Sequence, residues 1–168
     1  MLDQIIKLIK VLNSETAPEQ ISLAFAFAMI VGFTPLWSLH NLIVLLFVMV
    51  LRVNVSAFLA GILLFSMLAF LLDPLFHQFG YLVLTWEPLR GLFTVMNNST
   101  LWRIENFNNT ILMGSLLFAL LCFVPLYILG IKLIERYRKQ FITWVKKTRL
   151  AQVLKAKKWI TRFIPNQA

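Results

Sequence analysis

The feature that most constrains this chain is a 31-residue apolar run, Ile21 to Leu51, interrupted at its centre by Gly32-Phe33-Thr34-Pro35. As one helix it would rise about 46 Å, against a hydrocarbon core of about 30 Å. Gly and Pro together break a helix at that point. Two arms of about 16 residues result, each about 24 Å long and short for a full crossing. The run therefore predicts a broken helical hairpin over 17–51, either re-entrant or tightly spanning. Non-helical backbone inside a bilayer is allowed only where protein or a water-filled cavity covers it. The polar side chains near the break, Thr34, Ser38, His40 and Asn41, are functional candidates for that reason.

Composition bears on whether a soluble fold could hold such a run. Hydrophobic residues make up 60% of the 168, and charged residues only 14%. A soluble domain of this size is mostly surface and could not bury so much apolar area. An all-α multi-pass membrane protein follows, and a soluble enzyme is excluded. The net charge of +9 is confined to one region. Residues 1–20 carry −1 and residues 21–131 are neutral, while residues 132–168 hold 11 Lys and Arg against Glu135 alone. Lys and Arg near spans stay on the cytoplasmic side. Both termini are then expected on the cytoplasmic side, if the membrane is a bacterial or similar inner membrane.

Around the hairpin the chain divides as follows. Residues 1–13 place Leu2, Ile5, Ile6, Ile9 and Leu12 at helical spacing, as an interfacial amphipathic helix would. Thr16-Ala17-Pro18-Glu19 reads as a capping box starting a helix at about residue 17. Ala24, Ala28 and Gly32 form a small-residue stripe that lets another helix come close. Arg52-Val53-Asn54 ends the hairpin, and Arg52 suits an anionic phosphate. Residues 55–85 read as a transmembrane helix broken at Asp73-Pro74, a cap followed by a first-turn proline. Residues 86–109 are polar and turn-rich, a periplasmic segment at headgroup level. Residues 110–134 are a transmembrane helix, completing a membrane domain of residues 1–134.

Residues 135–168 form a basic tail. Arg136, Arg138, Lys139, Lys146, Lys147 and Arg149 interleave with apolar stripes, and the phase slips near Thr148. A basic amphipathic helix after a span lies on anionic lipid; a helix docked on a partner subunit is the rival, and nucleic-acid binding is not expected. The single cysteine, Cys122, permits no intramolecular disulfide or cysteine-based metal site. The zinc-protease helix motif, the phosphate-binding glycine loop and the nucleophile elbow are all missing. The expectation is a chain without catalytic residues, metal or cofactor. An Asp73–His77 pair one turn apart is a weak signal for a proton relay.

Ala17-Pro18-Glu19-Gln20-Ile21, Gly32-Phe33-Thr34-Pro35, His40, Arg52-Val53-Asn54 and Gly61 stand in a recognisable order. Over about residues 14–80 the chain resembles the bacterial family catalogued as domain of unknown function 2062. That family shows a Pro-Glu start, a Gly-Phe-x-Pro break, a following His and an Arg-x-Asn ending. It often continues with Asn-Pro, where this chain has Asp73-Pro74 further along. The resemblance implies a small inner-membrane protein paired with a large periplasmic AsmA-like lipid-transfer protein. Its expected function is to anchor and feed that partner, assisting phospholipid export across the envelope without catalysis. An accessory of an envelope polysaccharide or glycosyltransferase system, or a small transporter, is the alternative. Assembly as a homo-oligomer is left open.

Overall fold

A computed structural model describes residues 16–147. Its described residues form helices and connecting turns: α1 (Pro18–Phe33), α2 (Leu39–Val50), α3 (Val55–Leu84), a 3-10 turn (Glu87–Leu89), α4 (Arg90–Asn97), α5 (Thr100–Ile104) and α6 (Thr110–Lys147). The predicted interfacial helix 1–13 and the basic stretch from Arg149 onward lie outside the described residues.

Three helices make the body. α1 packs on α3 and α6, and α3 packs on α6, while α2 rests mainly against α1. α1 is apolar all round, which suits a helix enclosed by neighbours. Its residues Ile21, Ala24, Ala28 and Phe33 are buried. α2 instead shows Leu42, Ile43, Leu46, Met49 and Val50 to the outside. The small-residue stripe faces α3, and Ala28 abuts Gly61. A Cβ built on Gly32 would stand 2.6 Å from the Phe65 Cβ. α1 and α6 run antiparallel. The Ser22 hydroxyl donates to the Tyr127 carbonyl at 2.6 Å, and Phe27 stacks edge-on to Phe123.

The ends of the helices are tied by specific groups. Asn54 caps α3, its Oδ1 accepting from the Ala57 N–H at 2.8 Å, while its Nδ2 donates to the Thr16 hydroxyl at 2.9 Å. The capping box predicted at Thr16 does not form. α1 starts at Pro18 with Ala17 as its cap, and Asn54 engages the Thr16 hydroxyl. Arg138 donates to the Thr16 carbonyl at 2.8 Å.

Two expected boundaries are not there. α3 runs unbroken through Asp73-Pro74. Proline in a helix interior removes one backbone hydrogen bond and normally ends or kinks the helix. Here Phe76 and Gly80 are buried, and a Cβ on Gly80 would collide with the Thr110 carbonyl. Packing of the post-proline half on α6 thus holds the helix together. α6 likewise passes from the apolar stretch into the basic one with no break at residue 134. Lys132, Glu135 and Lys139 sit at three- and four-residue spacing, which supports a helix through the charged turn.

By length and composition α3 and α6 can each cross a membrane. The 30 residues of α3 rise about 45 Å and the 38 of α6 about 57 Å, whereas the 16 of α1 give about 24 Å and the 12 of α2 about 18 Å. Phe33, at the end of α1, packs against Phe65 of α3, Phe76 of α3 and Phe118 of α6. The last turn of α1 therefore lies alongside the middle of α3 and about 12 Å along α6 from its start, and the tip, residues 34–38, continues beyond it.

Candidate functional site

The site is the hairpin tip, residues 34–41. α1 ends at Phe33, and Thr34 takes an extended conformation with φ −105° and ψ 160°. Pro35 cannot donate a backbone hydrogen bond, and the residue before a proline is driven to extended backbone. The carbonyls freed at the end of α1 need partners, and the polar side chains provide them. The Thr34 hydroxyl donates to the Ile30 carbonyl at 2.8 Å. Asn41 Nδ2 donates to the Pro35 carbonyl at 2.8 Å, and the Ser38 hydroxyl donates to the same carbonyl at 2.8 Å. Asn41 Oδ1 lies 3.2 Å from the Thr34 hydroxyl. Thr34 and Asn41 are both buried.

His40 joins this cluster to a distant segment. Its Nε2 lies 2.9 Å from the Thr34 hydroxyl, and its Nδ1 meets Glu105 Oε1. The other carboxylate oxygen, Oε2, accepts from the Leu39 N–H at 2.6 Å. Leu39 opens α2, so Glu105 caps that helix from outside, where the helix dipole favours an anion. Ser38, the residue in the cap position, makes no capping bond of its own. Through its two ring nitrogens His40 thus links the Thr34 hydroxyl to the Glu105 carboxylate.

Of the residues singled out in the sequence, the structure thus brings together Gly32, Phe33, Thr34, Pro35, Ser38, His40 and Asn41. Two stand apart. Arg52 is exposed at the turn between α2 and α3, the length of α2 away from the tip. Its backbone position follows from the 12 helical residues between them, about 18 Å. It therefore cannot share a ligand with Thr34 and His40. Asn54 is at the same far end and acts as a cap. Asp73 and Pro74 lie within α3, and His77, one turn on, bonds the Thr110 hydroxyl at 2.6 Å through Nδ1. Arg136, Arg138, Lys139, Lys146 and Lys147 extend α6 away from the tip.

Sequence reasoning missed Glu105. It entered only as one of three acids that neutralise residues 21–131. Its partner is 65 residues away, so no spacing rule connects them. The one available signal was its chemistry. A single carboxylate beside apolar Ile104 and Phe107, in a chain with a single histidine at a helix break, is a candidate pair.

Among curated proteins and among solved structures, nothing matches the chain. A family model described as "Uncharacterized protein conserved in bacteria (DUF2062)" matches residues 6–142, well beyond the 14–80 stretch that carried the resemblance, and the chain belongs to that family.

Proposed function

We infer that this protein is a non-enzymatic inner-membrane subunit that assists phospholipid in leaving the bilayer. In this reading α3 and α6 cross the membrane, the α1–α2 hairpin is re-entrant, and both termini are cytoplasmic. The residues 85–109 then face the periplasm, where a large lipid-transfer partner of the AsmA-like class docks. One observation carries the reading. A short hairpin has its first arm ending alongside the middle of α3 and the first quarter of α6, and its tip holds a hydrogen-bonded polar cluster. Polar groups at that depth lower the barrier a headgroup meets in crossing hydrocarbon.

The experiment has two arms. Tagged protein is purified from bacterial membranes and its associated proteins and lipids are identified. The same protein is placed in vesicles containing a fluorescent phospholipid, and transbilayer movement is followed with a membrane-impermeant quencher. The expected result is a large envelope protein in the first arm and accelerated movement in the second. Neither partner nor acceleration would overturn the reading.

The His40–Glu105 pair favours a second reading, a small transporter with His40 as proton relay. A His40→Ala protein that supports wild-type function in cells removes it.

A further inference from the structure

The segment between α3 and α6 is attached to the body in an uneven way. Its 3-10 turn, α4 and α5 contact mainly one another. Leu92, Val95, Leu101, Trp102 and Ile104 are all exposed. Burial begins only at Glu105 and Phe107, which are 8% and 4% exposed. Between them Asn106 adopts φ 55°, the only non-glycine residue with positive φ among those described. Asparagine tolerates that left-handed conformation better than most residues. This sharp turn separates the two anchors and sends Glu105 onto the hairpin tip. There it accepts from the Leu39 N–H and meets His40.

We propose that residues 98–109 are a strap that holds the hairpin tip closed, with the Glu105 carboxylate as its clasp. The inference rests on the lipid reading given above and adds a regulatory element to that site. While the clasp is made, His40 is engaged on both ring nitrogens, by Glu105 and by Thr34. Thr34 and Asn41 are covered. Releasing Glu105 frees His40 and uncovers the polar tip to a headgroup. A purely structural Glu105 predicts the opposite sign, because its loss would only damage the site. The strap predicts that its loss increases lipid movement.

Three proteins test this in vesicles and in detergent. They are the wild type, Glu105→Gln and a His40→Cys/Glu105→Cys protein in a Cys122→Ser background. Glu105→Gln keeps the shape and removes the charge. In detergent, amide exchange in residues 98–109 should rise by about tenfold or more, with residues 111–121 of α6 unchanged, since removing one member of a buried pair leaves the other uncompensated. In vesicles Glu105→Gln should move labelled phospholipid several-fold faster than wild type. Bridging the two cysteines with a short bis-maleimide should slow movement below that of the same protein unbridged. Unchanged exchange in residues 98–109, slower movement in Glu105→Gln, or no effect of the bridge would each overturn the strap. If no protein moves lipid at all, the lipid reading fails, and the strap is decided by the exchange measurement alone.

Discussion

At the scale of single residues, the hairpin tip depends on side chains that take over for backbone groups. Thr34 and Asn41 serve the carbonyls of Ile30 and Pro35, where helical hydrogen bonding stops. Such residues stood out in the sequence because each is polar within an apolar run, and an unpartnered polar group there is costly. Glu105 did not stand out, since its role depends on a fold that carries it to His40. Two buried groups that hydrogen-bond each other lose most when only one of them is removed. His40→Ala or Glu105→Ala alone should therefore each cost about 3 kcal/mol of stability in detergent, while the double variant should cost clearly less than the sum of the two. Additive losses in thermal or denaturant unfolding would mean that the two side chains act independently. Asn54 is a simpler case. Its cap on the Ala57 N–H predicts that Asn54→Ala costs about 1 kcal/mol by the same measurement, and Asn54→Asp much less.

At the scale of elements, glycines decide how closely the long helices meet. A Cβ on Gly80 would collide with the Thr110 carbonyl, and one on Gly114 with the Phe76 carbonyl. The obstacles are backbone, so no side-chain rotation relieves them, and the helices must separate. Gly80→Ala and Gly114→Ala should each cost about 1–3 kcal/mol, read as a lowered unfolding midpoint. Gly91 is a built-in control. Nothing approaches within 4 Å of a Cβ there. Gly91→Ala in α4 should leave stability unchanged or raise it by about 0.5–1 kcal/mol, because alanine favours a helix over glycine. The same crossing explains why Asp73-Pro74 does not end α3. A local breaking signal was outweighed by packing on both sides of it, Phe65 on Phe33 before and Phe76 and Gly80 on Gly114 after. Local signals held at the Gly32–Pro35 break for the converse reason. Among the described residues nothing buries Pro35, Leu36 or Trp37, so no packing offsets the break.

At the scale of the whole molecule, the proposed topology places the α2–α3 turn and the α3–α6 segment on opposite sides of the membrane. In a cysteine-free background, Arg52→Cys in whole cells should react with a membrane-permeant maleimide and resist an impermeant one. Glu87→Cys should react with both when the outer membrane is permeabilised. Labelling of Arg52→Cys by the impermeant reagent would place that turn on the outer side and end the re-entrant reading. Charge points the same way, since the excess of Lys and Arg follows α6 at its far end.

Quantities that depend on neighbours along the chain can be read from the residues alone. These are the helical, apolar character, the break at Gly32–Pro35, the small stripe of Ala24, Ala28 and Gly32, and the concentration of positive charge after Lys132. Periodicity, helix-breaking chemistry and composition are local properties, so a linear reading captures them. Only the tertiary structure decided that Glu105 meets His40, that Arg52 does not, that α3 passes through Pro74 and that α6 continues into the basic region. Each of those depends on helix lengths and crossing points that bring distant residues together, and free energy from such contacts is large enough to override a local preference of a few kcal/mol.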